Sequence, residues 1–179
     1  MLKITIPGRE LWNEKTERFE KFDGCTICLE HSLVSLAKWE SKWHKPFLNN
    51  KKVTSEEILD YIKFMTITQN VDDSVYMLLT EENIKQIMDY IDDPMTATTI
   101  NEDKKTGRGR IITNELLYCW MAQCGIWKEC EKWHINRLLM LIRVCNAENN
   151  PPKKMSKAAT AKKYANLNAA RRKAMNTKG

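Results

Sequence analysis

Two short patterns bring together residue types capable of chemistry. Cys25-Thr26-Ile27-Cys28, with His31 shortly after, offers two thiols and an imidazole. On a tight turn such a CxxC presents two thiolates, but a structural zinc takes four ligands, usually from a second knuckle. No second CxxC or HxxxH follows, and Cys124, Cys130 and His134 do not space as one. The expectation is therefore no metal, with one thiol buried and the other on a turn. A thioredoxin-like redox site would need a βαβ setting that the flanking residues lack. The second pattern is Cys130 and His134, four apart and so on one face of a predicted helix. A Cys-His nucleophile also needs an orienting group and an oxyanion site. Neither is indicated, and a structural histidine is the reading taken. Asp72-Asp73 and Asp92-Asp93 sit at turns and helix ends. There is no GxxxxGK[ST], GxGxxG or HExxH. No catalytic residue, cofactor or enzymatic activity is expected.

Charge supplies the third pattern. The net +6 of this 179-residue chain hides an asymmetry. From Pro151 onward there are nine basic residues and no acid, while the preceding 150 residues carry 20 basic groups against 23 acids. Lys153, Lys154, Lys157, Lys162, Lys163, Arg171, Arg172 and Lys173, with Leu167 as an apolar anchor, form a candidate partner-binding arm. Such an arm can dock on an acidic protein groove or on phosphate. Tyr164 is its one aromatic, which gives little support for base stacking. The alternative is a solvated tail. Docking on protein is preferred, because Asn166 to Met175 keeps a helix-competent pattern.

The elements that hold these residues follow from periodicity. Leu29 to Trp43 reads as an amphipathic helix, with Leu33, Leu36, Trp39 and Trp43 toward a core and Glu30, Lys38, Glu40 and Lys42 mostly opposite. Leu2 to Ile6 alternates as a short strand. Arg18 to Phe22 and Cys25 to Cys28 flank Asp23-Gly24, a hairpin turn signal, whereas Glu10 to Lys15 is ambiguous. Asn49 to Lys52 is a polar loop. Thr54 and Glu57 form a capping box before a short helix. Asp72 or Asp73 opens a brief turn, and Thr80 a helix that ends at Asp92-Asp93-Pro94. Thr98 to Arg110 is a charged, glycine-bearing loop. Thr113-Asn114-Glu115 opens a helix bearing Trp120 and stopping near Gly125. Glu129 to Asn146 is the longest helix, apolar on nearly all sides, expected to be central and to pack on the Leu29 to Trp43 helix. Pro151-Pro152 is a break, and Ser156 to Met175 is an Ala/Lys-rich helical stretch. Trp133, Leu138 and Leu141 join Leu33, Leu36, Trp39, Trp43 and Trp120 as predicted core, and Trp43→Ala is expected to cost roughly 3–5 kcal/mol.

The fold class is thus mainly α, a compact helical bundle with a small N-terminal β-hairpin over residues 1–150 and a basic C-terminal arm over 151–179. Hydrophobic content of 42% suffices for a core, and mean hydropathy of -0.54 with 29% charged residues predicts a soluble chain. No apolar run approaches the ~20 residues of a membrane span, and Met1 to Ile6 is too short for a signal peptide. Reduced thiols and a cytoplasmic setting are the expectation.

LEHSLVSLAKWESKWHKPFL, PMTATTI, KWHINRLLMLIRVCN, PPKKMS and NAARRKAMNTKG together resemble small proteins of the tail-gene cluster of long-tailed, siphovirus-type bacteriophages. Such proteins are labelled tail assembly chaperones or minor structural proteins. The resemblance implies a non-enzymatic chaperone in the host cytoplasm, with the tape-measure protein and the tail-tube protein as partners. Nine Met and six Trp suit a surface that repacks around varied helices, or else simply fill the core. The alternatives are a structural part of the virion tail or neck and a basic nucleic-acid-binding accessory protein. No membrane partner is expected.

Overall fold

A computed structural model describes residues 1–14, 17–48, 53–100, 111–149 and 157–177. The expected loop at 49–52, most of the expected loop at 98–110, the Pro151-Pro152 break, and Lys153 and Lys154 lie outside the described residues. What is described is mainly helical, with a two-stranded β-ribbon at the N-terminus.

The ribbon contains β1 (Leu2–Ile6), β2 (Arg9–Asn13), β3 (Arg18–Phe22) and β4 (Cys25–Leu29). β1 pairs antiparallel with β4, placing Leu2 opposite Leu29 and Ile6 opposite Cys25. β2 pairs with β3, placing Arg9 opposite Phe22 and Asn13 opposite Arg18. One register runs through both pairs, so the four strands form a single long hairpin interrupted at Pro7-Gly8 and Asp23-Gly24. This corrects the expected hairpin: the chain reverses between β2 and β3, not at Asp23-Gly24. The glycine signal has another cause. Gly24 has φ +82°, and a Cβ there would lie 2.7 Å from the Ile6 carbonyl oxygen, so only glycine fits this crossing. Along the inner half, Ile4, Ile6, Ile27 and Leu29 are fully buried while Lys3, Thr5 and Thr26 face out, as pleat alternation requires. The Ile67 N–H donates to the Cys28 carbonyl at 2.8 Å, and the Glu30 N–H to the Met65 carbonyl at 2.9 Å, which extends β4's outer edge.

The helices are α1 (Leu33–Trp43), α2 (Ser55–Met65), α3 (Asp73–Tyr76), α4 (Glu81–Asp92), α5 (Asn114–Gln123), α6 (Ile135–Asn149) and α7 (Lys157–Met175), with a 3-10 turn at Lys128–Lys132. Their starts follow side-chain chemistry. Ser32 with Ser35, Thr54 with Glu57 and Thr80 with Asn83 form reciprocal capping boxes, and Asp72 caps α3 through the Ser74 N–H. α1 therefore begins four residues after Leu29, which belongs to β4.

The expected long helix from Glu129 is also corrected. Glu129 to Lys132 is 3-10, and the backbone at His134 is bridged to Ser32. The first N–H of α6, from Ile135, donates to the His31 carbonyl at 2.8 Å. That tertiary bridge claims the backbone an upstream α-turn would need. α6 buries one line, Ile135, Leu138 and Ile142, not its whole circumference. α1 packs on α2, α5 and the 3-10 turn, and α6 is not among its principal neighbours.

Leu33, Leu36, Trp39 and Leu138 lie in the buried core. Trp43, Trp120 and Trp133 are half-buried against it, and Leu141 is half-buried outside that cluster, its place taken by Ile142. The chain divides into two units, Met1–Asn146 and Ala147–Gly179.

Candidate partner-binding surface

The residues singled out for chemistry are placed in ways that use up their reactive atoms. β4 carries both cysteines of the CxxC, and a three-residue step along a strand puts their side chains on opposite faces. They do not form the two-thiolate turn that a zinc knuckle uses. Among the described residues no group of three His, Cys, Asp or Glu is placed to hold a metal ion. Burial raises the Cys25 thiol pKa, away from the thiolate.

His31 is in the linker between β4 and α1, not on the helix. It packs edge-on to His134 with ring centroids 5.0 Å apart. Both rings are buried. A 2.5 Å hydrogen bond joins His31 Nδ1 and the Tyr61 hydroxyl. His134 Nδ1 accepts from the Asn136 N–H at 3.3 Å, so Nε2 carries the proton and donates to the Tyr90 carbonyl at 2.9 Å. Burial, then the neighbouring His134, pushes the His31 pKa down to about 3. Burial likewise lowers that of His134 against the opposing pull of the Tyr90 carbonyl. Both imidazoles are neutral structural cross-ties between the ribbon, α2, α4 and α6. Cys130, buried in the 3-10 turn, shares no helix face with His134, since no helix contains both.

The basic residues are placed differently. Lys157, Lys162, Arg171, Arg172 and Lys173 are exposed along α7, as are Tyr164, Leu167 and Met175. Lys163 falls within α7, and its side chain lies outside the described residues. No described helix is long and apolar enough to cross a membrane.

Other features were not foreseen. The outer ribbon exposes Trp12 and Phe19, paired edge to face at 5.1 Å, and Trp127 is 80% exposed. Between α2 and α4 lies a cavity of about 430 Å³, lined by Phe47, Ile58, Met88, Ile91, Asp92 and Asn136 among others. A second cavity of about 250 Å³ shares Asp92 and Asn136 and continues along Leu139 and Met140. Asp92, which lines both, falls in an acid-rich stretch legible in the sequence, since Asp72 to Asp93 holds seven carboxylates and one lysine. The cleft itself needed the tertiary fold. A larger depression beside Glu40 and Asn114 is polar, and its buried carboxylate is already hydrogen-bonded.

Comparison with protein-family models, with curated proteins and with solved structures found no match.

Proposed function

We propose that this chain is a tail-assembly protein of a long-tailed bacteriophage, acting without catalysis as a chaperone for the tape-measure protein. The sequence resemblance supplies the phage setting. The observation that carries the mode of action is the α7 unit, an exposed, basic helix that holds no acid and offers Tyr164, Leu167 and Met175 as anchors. In this reading residues 1–150 form a helical bundle and residues 151–179 a docking arm. Long-range attraction orients an acidic helical partner and the apolar anchors hold it. The committed histidines and the split CxxC fit a binding protein better than an enzyme. Binding to nucleic acid is the weaker reading, since the first 150 residues are net acidic and Tyr164 is the arm's one aromatic for base stacking.

The experiment is a phage genome truncated after Asn150 of this chain, with purified wild-type virions analysed by mass spectrometry. A chaperone is absent from virions, and its truncation lowers tape-measure recovery and tail formation. Fixed copy number in virions would make it a structural part. Salt-sensitive, arm-dependent binding to random DNA with normal tails would favour the nucleic-acid reading.

A further inference from the structure

We infer that α7 of one copy docks in the α2/α4/α6 cleft of a second copy, so that the chain self-associates head to tail. The inference stands independently of the tail-assembly reading.

Two independent features meet here. On α7, Tyr164, Leu167, Arg171 and Met175 follow at steps of three, four and four, which puts them on one stripe of a helix. Tyr164, Leu167 and Met175 are 63%, 41% and 76% exposed, and the rest of the helix is lysine, arginine, alanine, threonine and asparagine. An exposed stripe with this spacing is the anchor pattern of a helix that lies in a groove.

The cleft has the complementary chemistry. Its floor is apolar, from Phe47, Ile58, Ile91 and Leu139, and Met88 and Met140 supply adaptable walls. Asp92 lines both cavities, and Asp89 and Asp93 are exposed close to it in sequence, on and just after α4. Arg143 is the cation at the far cavity. From Asp73 to Asp92, α3 to α4 carries five carboxylates and one lysine, a net charge of -4, against an acid-free helix. Opposite fields of that size steer association and fix its register. A helix stripe and a groove are different surfaces, so their pairing between copies is heterologous and leaves one of each free to continue the chain or close a ring.

The full-length protein tests this by sedimentation velocity over a concentration series at low and high salt. Self-association should strengthen with concentration and weaken in salt. Leu167→Asp on the helix, or Met88→Lys on the half-exposed cleft wall, should each raise the dissociation constant about tenfold or more, as loss of an interface anchor does. Both changes are at exposed positions, and circular dichroism checks that each variant remains folded. The decisive sample mixes the two variants. Each retains the surface the other lacks, so the mixture should form a one-to-one dimer that neither forms alone. A protein monomeric at every concentration, or association lost in L167D yet unchanged in M88K, would overturn the inference.

Discussion

Glu40 of α1 accepts both the backbone N–H and the side-chain Nδ2 of Asn114, at 2.7 and 2.8 Å, and so caps α5 from another helix. Thr113, at the N-cap position, makes no side-chain cap of its own. The other carboxylate oxygen takes the Phe47 N–H at 2.9 Å. Only 7% of Glu40 is exposed, although its position in α1 reads as the polar face. A buried negative charge at a helix N-terminus is favourable when donors surround it. Glu40→Ala should cost about 2–3 kcal/mol, the usual loss for hydrogen bonds to a charged group. Urea unfolding measures it, and a loss below about 0.5 kcal/mol would show that α5 is capped by other means.

The two α1 tryptophans should separate. Trp39 is fully buried and donates its indole N–H to the Glu57 carbonyl at 2.8 Å. Trp43 is half-buried, bonds Asp60 at 3.1 Å and lies under the Lys42 and Lys45 ammonium groups. Trp39→Ala should cost roughly 3–5 kcal/mol. Trp43→Ala should cost about 1–2 kcal/mol, in proportion to the smaller area it buries. Equal losses would contradict this assignment of core and rim.

Stability should fall with acid in two windows. His31 and His134 have folded pKa values below the ordinary 6.5, so the unfolded chain binds more protons there. Their contribution is complete above that value and is lost as pH drops below it, at about 1.4 kcal/mol per pH unit for each fully blocked histidine. Glu57, held low first by Lys45 and then by Thr54, and Asp72, held low by Ser74, act later. Their depressed pKa values stabilise the fold above the ordinary carboxylate range, and that part disappears as pH falls through it. Thermal melts of wild type and His31→Gln between pH 7 and 5 should show a shallower slope for the variant. Parallel slopes would mean that His31 is not the titrating group.

Gly24→Ala should destabilise by roughly 1–3 kcal/mol, the cost of forcing a side chain into a left-handed backbone. The added Cβ would also meet the Gly8 nitrogen at 2.8 Å. Gly125, also at positive φ but with open space around it, is the control. Gly125→Ala should cost less, and a reversed order in chemical denaturation would refute the crossing argument.

What the sequence determined by itself was local. Thr54, Asp72 and Thr80 announced their helices because a cap needs only residues within one turn. Gly125 marked the end of α5, and the acid-free stretch after Pro151 marked the exposed basic helix. The tertiary structure decided whatever depended on a distant partner. Asp23-Gly24 has the local chemistry of a hairpin turn, yet β3 pairs with β2 and β4 with β1, because strand pairing is set by which apolar face the core accepts. A helix through His134 was locally reasonable until the His31 backbone took the Ile135 N–H. Glu40 reads as a surface residue because its donors lie 7 and 74 positions along the chain. Apolar side chains report their burial through periodicity. A buried polar group does so only through partners that folding brings to it.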